Sequence, residues 1–375
     1  MKICCIGTGT SVHIKTKLNY LESQGLEVHL ISPHLSDGFN KNVHLHQLKW
    51  LFPQIKRFSR YLSAFLWPYQ VKRLLKEIRP DVLDGDSIIV NGYLAALSDF
   101  HPFILTVRGS DLLIVPEESF FQRQFVRYAL RKSDLIICNS DTVRVKLKKH
   151  GIDSPKVVLI RHGVDTDLFN PQKSDASLKR DLNADDDNYL VISIRHLLPF
   201  YNVELLVRAI PKILKEVPST LFIIAGNGVL REYLQDLTRS LGVAAHVRFV
   251  GSIPFEDVGT YLASSDVYVS TSLTDSCPKS LQEAMACGTV PVVTDISANR
   301  EWVQDGKNGF LISTDDDDAL ALKVIFLLEH EEARKRFAKN CTEQIAHITP
   351  AWEMERMIKA FDDARRSDPH LNEGY

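Results

Sequence analysis

SDVYVSTSLTDSCPKSLQEAMACGTVP, residues 265–291, sets a strand, a polar turn, a helix and a second strand in one short run. Asp266 to Thr271 alternates apolar and small residues, as a short buried strand does. Asp275 and Ser276 offer side-chain oxygens for a helix start, and Pro278 suits a first helical turn because it needs no donor there. Leu281, Ala284 and Met285 recur at helical spacing, so one face of that helix is buried. Gly288 ends it, and Val290 to Thr294 reads as the next strand.

A strand, a turn and a helix N-terminus aim free backbone N–H groups at one point, which makes a seat for an anion. Ser276, Cys277, Lys279 and Ser280 are the expected contacts at that seat. Asp275 and Glu283 flank it, and carboxylates repel phosphate but accept strong hydrogen bonds from hydroxyls. Phosphate and polyol together describe a nucleotide sugar. An N-cap Asp and a solvated helix Glu would explain either residue alone; the whole run favours the site.

The D-x7-E spacing followed by AMACG resembles the E-x7-E signature of the retaining family-4, or group 1, glycosyltransferases. The resemblance implies an α/β GT-B fold, two doubly wound Rossmann-like domains facing a central cleft. It places Asp275 on the donor sugar and Glu283 on the nucleotide ribose, with Asp275 shorter than the usual Glu. It implies retaining transfer of a sugar, carried on UDP or GDP, to a glycan or lipid-linked hydroxyl acceptor in cell-surface glycan synthesis, without metal or cofactor. Two alternatives stay open: a catalytically weak sugar-nucleotide-binding subunit or scaffold, and another GT-B activity such as an epimerase.

Size agrees with two domains: 375 residues, 45% hydrophobic and 25% charged. No apolar run reaches the roughly 20 residues of a bilayer span. MKICCIGTGT reads as a first strand rather than a signal peptide, and the six scattered cysteines show no metal spacing, so a cytoplasmic protein with reduced thiols is expected. The net charge of −2 hides a basic first part, where residues 1–170 hold 23 Lys and Arg against 16 Asp and Glu. Domains are expected at 1–170 for the acceptor, 171–350 for the nucleotide sugar, and 351–375 for a crossing helix and tail. The hinge is expected where Asp, Ser, Lys and Pro crowd between Asn170 and Asp187.

In the first half, Gly7-Thr8-Gly9 follows a buried strand. Val12 at the third glycine position weakens a dinucleotide reading, and the resemblance points Gly9 at the donor or acceptor instead. Residues 47–79 carry eight Lys and Arg and one acidic residue, interleaved with Trp50, Phe52, Phe58, Tyr61, Phe65, Trp67 and Tyr69. Peripheral contact with an anionic membrane, at the inner face of the cell membrane, weighs evenly there against a plain packed helix pair; nucleic acid is not an expected partner. Asp84-Gly85-Asp86 reads as a polar loop, not a metal site. Arg108 heads Arg-Gly-Ser-Asp where the family often has His, and it is a candidate cation for the leaving group. Residues 156–171 resemble the family's passage between domains, with His162 in an Asn place.

In the second half, Arg195 follows a strand at its carboxyl end, and the resemblance makes it a clamp on the donor diphosphate. The family's second cation falls on Tyr201 or Asn202, where no Lys stands. Gly226, Gly228 and Gly251 close loops expected to approach the nucleotide. The catalytic set is therefore Arg195, Asp275 and Arg108, with the leaving diphosphate itself taking the acceptor proton.

Overall fold

The structure, a computed structural model, describes residues 1–50, 56–113, 120–152 and 155–367, with side chains at all of these except 56–65, 110, 113, 120 and 121. It divides into two units: Met1–Arg161 together with the chain from Ala351 on, and His162–Pro350. Among the described residues each unit is one parallel sheet dressed with helices. The first sheet holds β1 (Lys2–Ile6), β2 (Glu27–Ser32), β3 (Val43–Gln47), β4 (Val82–Asp86), β5 (Phe103–Val107), β6 (Leu135–Cys138) and β7 (Val157–Leu159), in the order β3-β2-β1-β4-β5-β6-β7. The second holds β8 (Tyr189–Ile194), β9 (Thr220–Ala225), β10 (Val247–Gly251), β11 (Val267–Ser270), β12 (Val290–Thr294) and β13 (Phe310–Ile312), in the order β10-β9-β8-β11-β12-β13.

Parallel strands covered on both faces must be apolar along their length, and TLFIIA of β9 is buried at every residue. The helices supply the cover. Val203–Glu216 turns Val203, Leu206, Val207, Ile210 and Ile213 into the core at helical spacing. Each sheet reverses its strand order once, between β1 and β4 and between β8 and β11. At such a reversal the flanking loops part and leave a crevice at the strands' carboxyl ends, which is where ligands of open α/β sheets bind.

The division between units falls at Arg161–His162, nine residues before the expected boundary. Residues 162–170 pack into the second unit. Phe169 is buried there against Phe255, ring centroids 5.6 Å apart, and the Val164 N–H donates to the Ile348 carbonyl at 2.8 Å. The polar crowding of 170–187 marks short surface helices, not a linker. Helix Pro350–Arg366 buries Met354, Met357, Ala360 and Phe361 beside Ile3, Cys5 and Ile14, which ties the end of the chain to the first unit.

The basic aromatic stretch is split. Trp67, on helix Lys56–Ile78, is buried, and Trp50 packs edge-on to it at 4.8 Å while donating its Nε1 proton to the Pro33 carbonyl at 3.3 Å. These two rings are core. Tyr69, Leu66, Lys72, Arg73 and Lys76 are exposed. Phe52 and the side chains of Phe58, Tyr61 and Phe65 lie outside the described residues. No described helix is long and apolar enough to cross a membrane.

Candidate functional site

Arg195 leaves the carboxyl end of β8 beside the strand-order reversal and reaches across it. Its Nε donates to Ser270 Oγ, at the end of β11, at 3.1 Å. Its Nη1 lies 3.1 Å from Asp275 Oδ2, and its guanidinium carbon stands 5.3 Å from the centre of the Tyr201 ring. The side chain is only 9% exposed, yet Nη2 is buried without a hydrogen-bond partner. Arg195, His196, Tyr201, Gly226, Ser252 and Val258 line a cavity of about 230 Å³. A buried guanidinium with one nitrogen unpartnered is costly unless an acceptor is brought to it. The arrangement is suited to an anion.

Asp275 holds that place now. Its Oδ1 accepts the N–H groups of Ser276 at 2.7 Å and Cys277 at 3.1 Å, while Oδ2 faces Arg195. Asp275 thus closes a turn ahead of the helix instead of capping it. Helix Lys279–Ala286 begins after Pro278, whose position carries no side-chain cap, and the Lys279 N–H donates to the Cys277 carbonyl at 2.9 Å. Three of the four amides expected to meet an anion, those of Ser276, Cys277 and Lys279, are therefore engaged within the turn. Ser280 pairs its hydroxyl with Tyr268 at 2.8 Å.

Glu283 lies one turn into the helix; its backbone carbonyl accepts the Cys287 N–H at 3.0 Å, while its carboxylate has no hydrogen bond or ion pair among the described residues. Burial pushes its carboxyl above the usual range, and Lys279 and Arg195 only partly pull it back. Such a carboxylate is short of donors, which sugar hydroxyls supply. Burial also pushes the Cys277 thiol up to about 12, so it stays protonated and is no nucleophile at neutral pH.

The glycines serve packing first. Gly226 has φ +126°, and a Cβ there would stand 2.0 Å from the Arg195 carbonyl; one on Gly228 would stand 2.2 Å from that of Leu197. The loop after β9 thereby lies directly on the loop after β8 and fixes the backbone that carries Arg195. Of Gly226, Gly228 and Gly251, only Gly226 also lines the cavity; Gly251 accepts the Gly226 N–H at 2.6 Å. Tyr201 and Asn202, the two positions where the family's Lys is expected and absent, are held by Thr271, whose hydroxyl donates to the carbonyls of Tyr201 at 3.2 Å and Asn202 at 2.8 Å. His196, Ser252 and Val258 were missed by the sequence reading. His196 and Ser252 follow the carboxyl ends of β8 and β10, and that rule alone would have found them.

In the first unit the expected site residues are otherwise employed. Gly9 donates its N–H to Ser32 Oγ at 3.0 Å, and its carbonyl accepts the Ser36 hydroxyl at 2.9 Å, so its amide is already engaged. Asp84 and Asp86 are not in a polar loop; they belong to β4 and are buried. Lys17 Nζ sits 2.6 Å from a carboxylate oxygen of each. Arg108 grips Asp86 with two parallel bonds, Nε to Oδ1 at 2.6 Å and Nη2 to Oδ2 at 2.7 Å. Two cations and two carboxylates cancel there, so Arg108 is committed to a structural pair rather than held free for a leaving group.

The family described as Glycosyl transferases group 1 matches residues 174–344, and that described as Glycosyl transferase 4-like matches residues 2–140. An uncharacterized glycosyltransferase of Methanocaldococcus jannaschii is 25% identical over 336 residues, 88% of either chain. The GDP-mannose-dependent alpha-(1-6)-phosphatidylinositol monomannoside mannosyltransferase of Mycolicibacterium smegmatis is 35% identical over 174 residues, 44% of this chain and 45% of that one. Among solved structures, the Anabaena protein HepE in complex with UDP and glucose matches with a TM-score of 0.78 at 17% identity, over 97% of this chain and 100% of its own. That last likeness is one of fold.

Proposed function

Because the chain belongs to the group 1 glycosyltransferases, we propose that its second unit binds a nucleotide sugar at Arg195 and transfers the sugar to a hydroxyl acceptor, glycan or lipid-linked, with retention of configuration. The observation that carries this reading is the buried Arg195, with one guanidinium nitrogen unpaired, lining a cavity at the β8–β11 reversal. Arg195 takes the diphosphate, Glu283 the ribose hydroxyls and Asp275 the donor sugar. UDP and GDP are the donors to try, since HepE was solved with UDP and the mycobacterial relative is named for GDP-mannose.

In the transfer, the acceptor oxygen bonds to the anomeric carbon on the face from which the diphosphate departs. The bond from that carbon to the phosphate oxygen breaks, and the departing diphosphate takes the acceptor's proton. The protein's part is charge stabilisation by Arg195. A catalytically weak binding subunit is the second reading, favoured by Tyr201 and Asn202 standing where the resembled family has Lys.

Asp275 must release Arg195 and two amides before a diphosphate can take them. Thermal stabilisation by a panel of nucleotides and nucleotide sugars tests this, since a ligand at 100 times its Kd adds about 2.7 kcal/mol. One nucleotide sugar should stabilise more than its bare nucleotide. Asp275→Ala should erase that difference while strengthening the bare diphosphate, because its anion seat is freed. If no nucleotide stabilises the protein, the assignment fails. If the right nucleotide sugar stabilises but no acceptor is ever glycosylated, the binding-subunit reading takes over.

Glu283 makes the binding pH-dependent. Its carboxyl is raised in the free protein, and hydroxyl donors favour the ionised form, so nucleotide binding releases a proton. Affinity should therefore strengthen as pH rises through the raised value and level off above it. Glu283→Gln should flatten that slope and weaken binding about 10- to 100-fold, the worth of charged hydrogen bonds of about 1.5–3 kcal/mol. Calorimetry in buffers of different ionisation enthalpy reads both; an unchanged slope in the variant removes Glu283 from the site.

A further inference from the structure

β2 and β3 pair in parallel at the edge of the first sheet, with His29 opposite His44 and Ile31 opposite His46. Residues two apart on a strand share a face. Val28, Leu30 and Val43 point into the core on one face, so Glu27 and His29 of β2 share the other face with His44 and His46 of β3. We propose that Glu27, His29 and His44 bind a divalent transition-metal ion of the zinc type, with His46 as an outer hydrogen-bond partner.

Ligand atoms of Glu27, His29 and His44 lie within 4.8 Å of one another. Tetrahedral zinc with bonds of about 2.0–2.1 Å sets its ligands about 3.4 Å apart. His29 Nε2 and Glu27 Oε1 are already 3.1 Å apart, and Glu27 and His44 are exposed and can swing inward. His29 itself is buried and fixed, its ring stacked on His44 and His46 with centroids 4.6 Å and 5.3 Å away. Its Nδ1 lies 3.0 Å from His46 Nε2. With the Nδ1 proton donated to His46, the Nε2 lone pair is left for the ion, the arrangement by which an outer acceptor orients a metal-binding histidine. Two imidazoles and one carboxylate leave a fourth position for water, and that donor set suits zinc-like ions.

The neighbouring charges define the competition. Lys2 Nζ is 3.0 Å from Glu27 Oε1, and it also donates to the Ile78 carbonyl at 3.1 Å, so it keeps a partner when an ion takes Glu27. Glu77, near the end of helix Lys56–Ile78, acts electrostatically on His46 and adds a favourable negative charge.

The test uses the full chain, stripped with a chelator and titrated with Zn²⁺ by calorimetry and with Co²⁺ by visible absorption. One equivalent should bind, with four-coordinate cobalt bands and no thiolate charge-transfer band. His44→Ala and His29→Ala should each abolish it, and His46→Ala should weaken it about 10- to 100-fold, as loss of an outer partner does. Lys2→Met should tighten it. His44 is exposed, so His44→Ala does not threaten the fold; unchanged stoichiometry and affinity in that variant overturns the proposal. A thiolate band, or no binding to the wild type, overturns it equally. None of these readouts depends on glycosyl transfer.

Discussion

Arg195→Ala should lower kcat about 1,000-fold while raising the donor KM far less, in a product-formation assay with the donor found by thermal stabilisation. Negative charge grows on the diphosphate as the glycosidic bond breaks, so a cation there acts more strongly in the transition state than in the ground state. Removing one such preorganised donor typically costs 10²–10³ in rate, and of the residues lining the cavity only Arg195 carries a permanent positive charge. Arg195→Lys should recover only part of the loss. A lysine keeps the charge but cannot hold Ser270 while meeting a diphosphate with the two terminal nitrogens that the guanidinium fork offers. The alanine variant should still fold, because Asp275 remains bound to the amides of Ser276 and Cys277. Equal kcat in wild type and Arg195→Ala removes Arg195 from the chemistry.

Strand and helix placement was legible because buried parallel strands and amphipathic helices write their periods into the chain, as TLFIIA and the helix after Val203 do. The D-x7-E run was legible for a similar reason: its members are neighbours in one strand–turn–helix unit. What could not be read were pairings made by the order of strands. Asp275 looks free until β8 and β11 adjoin and bring Arg195, 80 positions earlier, against it. Asp84 and Asp86 look like loop residues until Lys17 from helix Val12–Ser23 meets them above β4. Glu27-x-His29 and His44-x-His46 are unremarkable dipeptide spacings until β2 and β3 align them. The glycines are legible only in part. Gly226 and Gly228 signal close approach correctly, but the approaching group is the chain's own backbone at Arg195 and Leu197. Local composition cannot tell a ligand from a neighbouring loop.

The buried network of the first unit carries the second large effect, and it is one of stability. Asp86→Ala should destabilise the protein by about 3–5 kcal/mol, because removing one member of a buried ion cluster leaves its cations uncompensated. Lys17 and Arg108 would then share the single carboxylate of Asp84, which Thr106 also bonds at 2.8 Å. At about 2–4 °C per kcal/mol for a unit of this size, the melting point should fall by roughly 6–20 °C. The acid side of the stability profile supplies a sign that a mere packing defect would not. Burial alone would raise the Asp86 carboxyl, but Lys17 and Arg108 outweigh it and hold it far below the usual range. A depressed folded value means the stabilisation is present above the ordinary carboxylate range of about 4 and is lost as pH falls toward the folded value. Wild type should therefore lose stability steeply below about pH 4, whereas Asp86→Ala should show a shallower slope there. Lys17 works in the opposite direction at the alkaline end. Asp84 and Asp86 hold it protonated against its burial, so its contribution is present below its ordinary value and fades only as pH rises above that. Urea midpoints across this pH range decide the matter: parallel profiles for wild type and Asp86→Ala would mean that the cluster contributes shape and not charge.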